Sequence, residues 1–197
     1  MTDVSVSING ERITRVFETK FLGVITQSNL KWNTHISLIG LANKTSKTIG
    51  VINNIKTILT TAHLKLLYQS LIQPYLNYCC IVWASPVKSC VLETILKNQK
   101  RSVGSIMHAS YRAHSKPLLQ KLNTLTIYDI YLSQLLQFLY KSINHLLPSF
   151  INYFTRTKDI HIHDTRGHNN KLRVITAQKP SPSIFKASLI EYLLNKV

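Results

Sequence analysis

Val4-Ser5-Val6-Ser7-Ile8-Asn9-Gly10 alternates apolar and hydroxylic side chains and then closes on two residues that tolerate positive φ. Alternation at period two puts Val4, Val6 and Ile8 on one face of a strand, and Asn-Gly is the favoured pair of a type I′ hairpin turn. The return strand is predicted through Ile13, Val16 and Phe17, and Phe21-Leu22-Gly23-Val24-Ile25 supplies a third, more apolar strand. Such an antiparallel meander is too small to stand alone, so the helices that follow must cover one of its faces.

From Thr34 onward the period becomes helical. Ile36, Ile39, Ala42, Ile49 and Ile52 fall on one stripe, with Lys44, Lys47 and Lys56 nearer the other side. After a break at Thr60-Thr61, Leu64, Leu67, Tyr68, Leu71 and Ile72 continue the pattern until Pro74 forces a kink or a stop. A third helix starts near Ser89, where Leu92, Ile95, Leu96, Gln99, Val103 and Ile106 or Met107 keep the 3.6 spacing and Lys97, Lys100 and Arg101 ride on it; Gly104 weakens its last turn. Residues 110–123 read as a loop and a brief helix begun at Pro117. Thr126 and Asp129 form a capping-box start, with Asp in place of Glu or Gln, for a helix through Ile130, Leu135, Leu139 and Ile143 that ends before Pro148. Beyond Phe154, His, Asn, Thr and Lys dominate, and an irregular tail with a short apolar patch at 184–194 is predicted. The fold class is therefore α+β and predominantly α-helical.

At 197 residues and 45% hydrophobic content the chain has the composition of a globular protein. Its charge is lopsided: 24 Lys and Arg against 8 Asp and Glu give a formal charge of +16, which points to a polyanionic partner. The acids, Asp3, Glu11, Glu18, Glu93, Asp129, Asp159, Asp164 and Glu191, form no run of neighbouring carboxylates. Two-metal phosphoryl transfer needs clustered carboxylates to hold two divalent cations about 4 Å apart, which argues against a complete polymerase or nuclease.

Cys79, Cys80 and Cys90 make no disulfide framework and read as reduced core residues of an intracellular protein. The N-terminus lacks the basic and apolar blocks of a signal peptide. The most apolar stretch, 64–83, is interrupted by Gln69, Gln73, Pro74 and Asn77 and reads as buried helix rather than membrane span.

A longer ordered set of residues carries a family resemblance. Phe21-Leu22-Gly23-Val24 is followed by Leu30-Lys31-Trp32 and His35-Ile36, then by Leu66-Leu67-Tyr68-Gln69-Ser70-Leu71-Ile72-Gln73-Pro74-Tyr75-Leu76-Asn77-Tyr78-Cys79 and Val82-Trp83. Gln99-Lys100-Arg101, Tyr111-Arg112-Ala113-His114, Pro117-Leu118, Lys121-Leu122-Asn123-Thr124-Leu125, Leu146-Leu147-Pro148 and Thr165-Arg166 complete it. In that order the chain resembles the end of the reverse transcriptase domain of non-LTR retrotransposons of the jockey and related LINE-type groups.

The resemblance implies a distal palm with a primer-grip-like strand at 1–33, a helical thumb and connection region at 34–154, and an irregular basic, His-rich tail with a short terminal helix at 155–197. It implies an RNA-directed DNA polymerase whose catalytic Asp and Tyr-x-Asp-Asp turn precede this point; neither is in this sequence. The Mg²⁺ of the intact family enzyme would be held there, so no cofactor and no catalytic residue are expected of this chain. Thr26-Gln27 replaces the acidic residue usual after the Phe-Leu-Gly-Val strand, and the usual Trp-containing ending is missing after Ser183. The implied partner is RNA, DNA or an RNA–DNA hybrid, together with the missing palm and fingers. Phe21, Leu22 and Gly23 are the implied primer grip. Lys97, Lys100, Arg101, Arg112 and Lys116 cluster around the third helix and the following loop as candidate phosphate contacts.

Other readings of these residues are blander. Phe21-Leu22-Gly23 is also a buried strand with a Gly bulge, and Trp32 and Trp83 beside Leu30 and Val82 suit a core as well as base stacking. His161, His163 and His168 with Asp164, or the cysteines with His108 or His114, lack the spacing of a structural zinc site. No Gly-x-Ser-x-Gly elbow frames a nucleophile, and none of the six glycines makes Gly-x-Gly. The basic surface could serve solubility or an anionic membrane, yet the apolar residues are spread over elements able to satisfy one another in a core. A stand-alone helical RNA-binding or protein-interaction module is the second functional reading.

Overall fold

The computed structural model describes residues 6–29, 32–37, 40–84, 89–110, 112–148, 154–156 and 172–174, with the backbone alone at 89–91 and in the last two segments. The fold is α+β and predominantly helical, with short antiparallel strand pairs at the N-terminal end, as the sequence implies. Contacts divide it into two compact units, 1–134 and 135–197.

The first hairpin forms as its turn dictates. Strands β1 (Val6–Ile8) and β2 (Glu11–Ile13) pair antiparallel, and Asn9 and Gly10 both take positive φ, as a type I′ turn requires. The return strand stops at Ile13 rather than reaching Phe17. The expected third strand is corrected as well: Phe21 to Ile25 is a second hairpin. Strands β3 (Glu18–Phe21) and β4 (Val24–Gln27) pair around Leu22 and Gly23, at φ 45° and 84°, and Ser28 N–H donates to Phe17 O to close the base. A twist-compatible two-residue turn lets Phe21 pair with Val24, so the apolar run folds back on itself instead of extending. The result is two separate two-stranded sheets, not a meander. Nor do helices cover a whole face: β1, β2 and β3 are exposed throughout, and Val24 on β4 is the only residue of the strands in this unit that is buried.

The first helical stripe is divided. Helix α1 (Asn33–Ile36) is a single turn and α2 (Leu41–Ile55) begins after Gly40. A Cβ on Gly40 would run into the carbonyl oxygen of His35, so only glycine fits at this position. Leu41, Thr45, Ile49 and Ile52 form the buried stripe of α2. The 61–83 region breaks into α3 (Thr61–Leu71), α4 (Gln73–Asn77) and α5 (Cys80–Trp83), with Pro74 accommodated in the first turn of α4, where its missing N–H costs nothing. Trp83 is core, its indole N–H donating to Tyr78 O at 2.8 Å, whereas Trp32 is half-buried. Of the cysteine pair only Cys80 is core; Cys79, at φ 50°, is turned outward.

Helix α6 (Ser89–Ile106) organises this unit, packing on α2, on α3 and on α7 (Ser115–Lys121). Leu92, Ile95, Val103 and Ile106 are buried, and each contributes on the order of 1.5–3 kcal/mol by leaving water. Asn98, Gln99 and Ser102 are buried on the same side. The Asn98 amide nitrogen reaches Ala42 O at 3.1 Å and Thr45 Oγ1 at 2.9 Å on α2. The Gln99 amide nitrogen donates to Tyr68 Oη at 3.0 Å and Leu125 O at 2.9 Å, while its Oε1 accepts Ile127 N–H at 2.8 Å. Two adjacent amides thus tie α6 to α2, to α3 and to the start of α8 (Ile127–Ile143).

Helix α8 opens on the predicted capping box. Thr126 Oγ1 accepts Asp129 N–H at 3.3 Å, while Asp129 Oδ2 accepts both Thr126 N–H at 3.2 Å and Thr126 Oγ1–H at 2.6 Å. Helices α6, α7 and α8 all end in a Schellman motif with His108, Asn123 and His145 in the left-handed region. The paired closing bonds are Ala109 N–H to Gly104 O and His108 N–H to Ser105 O, Thr124 N–H to Leu119 O and Asn123 N–H to Gln120 O, and Leu146 N–H to Lys141 O and His145 N–H to Ser142 O.

In the unit 135–197, α8 carries buried Leu135, Leu139 and Ser142. The expected tail is not wholly irregular: β5 (Phe154–Arg156) pairs antiparallel with β6 (Leu172–Val174) in the register Phe154 to Val174, local backbone bonding having overridden weak periodicity. The His161, His163, Asp164 and His168 group, the 184–194 patch and the Cys90 side chain lie outside the described residues.

Candidate nucleic-acid interface

A helix with one buried stripe must present the remaining residues outward. On α6 those are Glu93, Lys97, Lys100 and Arg101, all exposed, followed by half-buried Gly104 and Ser105. The i, i+3 and i+4 spacing of Lys97, Lys100 and Arg101 gathers three cations on the solvent side of the helix.

Lys100 and Arg101 also line a cavity of about 630 Å³. Its floor is the C-terminal half of α6, with Gly104, Ser105 and His108. One wall is the end of α2, with Asn53 and Lys56, and the other is formed by Ala109, Ser110 and Ala113 and by Ser115 and Leu118 of α7. The Schellman turn that ends α6, with His108 in the left-handed region, redirects the chain so that Ala109 and Ser110 join the lining. Among the described lining residues there is no Asp or Glu to offset the field of the cations. Among the described residues nothing lies within 4 Å of where a Cβ on Gly104 would stand, which leaves room at the centre of the floor.

Of the residues predicted from the sequence, the structure brings Lys100 and Arg101 together in the cavity. Lys97 lies on the same helix face outside the lining, and Arg112 and Lys116, both exposed, flank the loop and the start of α7 without lining it. Sequence reasoning missed Lys56, which it placed only on the polar side of α2, and weighed His108 only as a metal ligand. Both become site residues through packing of α2 and the loop against α6, which no local pattern encodes. Among the described residues no group of His, Cys, Asp and Glu could hold a metal ion.

Phe21, Leu22 and Gly23 belong to a different surface, built by the second hairpin and the turn after α4. Tyr78 Oη donates to Leu22 O at 2.5 Å, and the Tyr78 ring stands 3.8 Å from the Cβ position of Gly23. The tip is pinned while Phe21 and Leu22 remain 68% and 72% exposed. Phe21 ends β3 and Leu22-Gly23 make the turn, so the three form an exposed hairpin tip, not the buried strand with a bulge that the blander reading expected.

The hairpin is anchored at its other strand by His35. Ile25 N–H donates to His35 Nδ1 at 3.3 Å, and the ring meets Trp83 edge-on at a centroid distance of 5.8 Å. Burial, and then the nearby Lys44 ammonium, hold the His35 pKa below its ordinary value. His35 Nδ1 thus serves the hairpin as a structural acceptor. No helix among the described residues is long and apolar enough to cross a membrane. Compared with models of known protein families, with curated proteins and with solved structures, the chain matches none.

Proposed function

We propose that this chain binds nucleic acid without acting on it, as the thumb-like part of a non-LTR retrotransposon reverse transcriptase. One observation carries the binding half: Lys100 and Arg101 line one cavity with Lys56, and no Asp or Glu is among its described lining residues. Cations on a rigid helix gain affinity by displacing counterions from phosphates, a contact that needs no bond-making residue. The polymerase half rests on the ordered residue resemblance. It is supported by the absence of clustered carboxylates in the sequence, which leaves polymerisation to a palm carried elsewhere.

The palm and fingers are the proposed protein partner. Val6, Ile8, Ile13, Val16, Phe17, Phe21 and Leu22 are all about half exposed or more, an apolar load on two hairpins that a partner surface would cover. The rival reading, a stand-alone module, predicts instead a monodisperse protein with a single sharp thermal transition.

The test is fluorescence anisotropy with an RNA–DNA hybrid over a range of salt. Binding should weaken steeply with salt, and Lys100→Glu with Arg101→Glu should flatten the slope by about two, near one per lost phosphate contact. Unchanged affinity and slope would remove both residues from the interface. Incubation with primer, template, Mg²⁺ and nucleotides should give no extension, and reproducible extension would refute the non-catalytic assignment.

A further inference from the structure

We infer that Tyr75 and Tyr78, with the Lys44 ammonium beside Tyr75, form a stacking platform for the unpaired bases of a nucleic-acid strand. The inference rests on the nucleic-acid reading and adds to it a second contact, away from the α6 cavity. The two tyrosines stand about one turn apart on α4 and its C-terminal cap, and stay 42% and 50% exposed. Each is held by a contact of its own. The Lys44 ammonium lies over the Tyr75 ring, 5.2 Å from its centroid. Tyr78 is anchored by the bond from its hydroxyl to Leu22 O, and a Cβ on Gly23 would stand 3.8 Å from its ring. The short helix that carries them is tied as well: Gln134 Nε2 donates to Asn77 O at 2.9 Å and the Trp83 indole N–H to Tyr78 O at 2.8 Å. Rings ordered before a ligand arrives spare the entropy that stacking otherwise costs.

An apolar protein surface is the rival occupant, and Lys44 speaks against it. Closing such a surface over Tyr75 would strip water from the ammonium and offer it no counter-charge. A nucleic-acid strand brings both groups that this pair can use, a flat π-face for the tyrosine and a phosphate for the lysine. Lys47, exposed one turn further along α2, extends the positive side. Lys44 and Lys56 are twelve residues apart, which sets the platform about 18 Å from the cavity wall along the α2 axis. Bases inside a duplex are already stacked on one another, so the part of a bound hybrid that the rings take up is an unpaired extension.

The full chain is titrated by fluorescence anisotropy with a blunt RNA–DNA hybrid, the same hybrid with an oligouridylate extension of about ten nucleotides, the same extension made abasic, and free oligouridylate. The uridylate extension should tighten binding about tenfold over the blunt hybrid, and the abasic one by no more than about threefold. Tyr75→Leu should cost the extended hybrid about fivefold and leave the blunt one within about twofold, while Tyr75→Phe keeps the ring and the gain. Lys44→Gln should lower the salt slope of the extended hybrid by about 0.7 and leave that of the blunt hybrid unchanged. Matching circular dichroism melts establish that the variants are folded, and the abasic comparison needs no variant. An extension that adds nothing, an abasic extension as good as the uridylate one, or a gain that survives Tyr75→Leu would each overturn the inference, the last leaving the tyrosines to a protein partner. If free oligouridylate binds through Tyr75 and the blunt hybrid does not bind, the hybrid reading falls and the platform stands; if no probe binds, both fall.

Discussion

Gln99 and Tyr68 meet through a 3.0 Å hydrogen bond in which the side-chain amide donates to the phenol oxygen, at a point where both side chains are sealed from water. The other amide positions of Gln99 are engaged by Leu125 O and Ile127 N–H, so one side chain serves three elements. Gln99→Leu would strand all three partners in the core. It should cost about 3 kcal/mol, against about 1 kcal/mol for Tyr68→Phe, which removes one partner and leaves a donor that can still satisfy Leu125 O. Urea denaturation measures both; equal costs would mean that the Ile127 and Leu125 bonds contribute nothing.

His35 gives the fold a pH dependence of predictable sign. Its native pKa is depressed, so as the pH drops below the ordinary 6.5 the unfolded chain takes up the proton before the native one does. Stability should fall over that window and level off once native His35 is itself protonated. His35→Asn keeps an acceptor for Ile25 N–H and removes the titration, so its urea midpoint should vary less between about pH 7 and pH 5 than that of the parent protein. Identical profiles would assign the effect to other groups.

The two hairpins use one turn type with unequal chemistry. Asn9-Gly10 is the favoured pair, while Leu22-Gly23 places a γ-branched side chain at φ 45°. Leu22→Asn should relieve that strain and stabilise the second hairpin by about 1 kcal/mol, because the lost side chain is already 72% exposed and the Tyr78 bond goes to the backbone oxygen. A destabilised variant in thermal melts would show that Leu22 packs in solution.

The adjacent thiols should behave oppositely. Burial pushes the Cys80 thiol up to about 12, whereas Cys79 is exposed. In a Cys90→Ser background, iodoacetamide followed by mass spectrometry should label Cys79 in the native protein and Cys80 only after denaturation. Native labelling of Cys80 would show that α5 opens locally.

The helical part of this fold was legible because its signals are local. Thr126 and Asp129 sit three apart before an apolar run, and the capping box forms as spaced; Gln99 fell on the predicted buried stripe and is buried. Leu22-Gly23 was misread because leucine carries no turn signal, and the apolar run around it favours a strand until pairing of Phe21 with Val24 is considered. Asn98 escaped notice for the opposite reason: a polar residue beside the stripe reads as outward-facing, and only Ala42 and Thr45 on a helix more than fifty residues away explain its burial. The same long-range packing recruits Lys56 to the cavity. Half of the site was therefore written in α6 and the other half in what surrounds it.

Lys97-Asn98-Gln99-Lys100-Arg101 interleaves the two amides that lock α6 in place with the three cations that face outward. A purely apolar seam tolerates rotation or a slip along its neighbour, but here a shift of one residue would carry an ammonium group into a slot shaped for an amide. Interior and exterior are thus written in the same five codons. An insertion or deletion between them would corrupt both at once, because the pitch of the charges is tied to the packing of the helix.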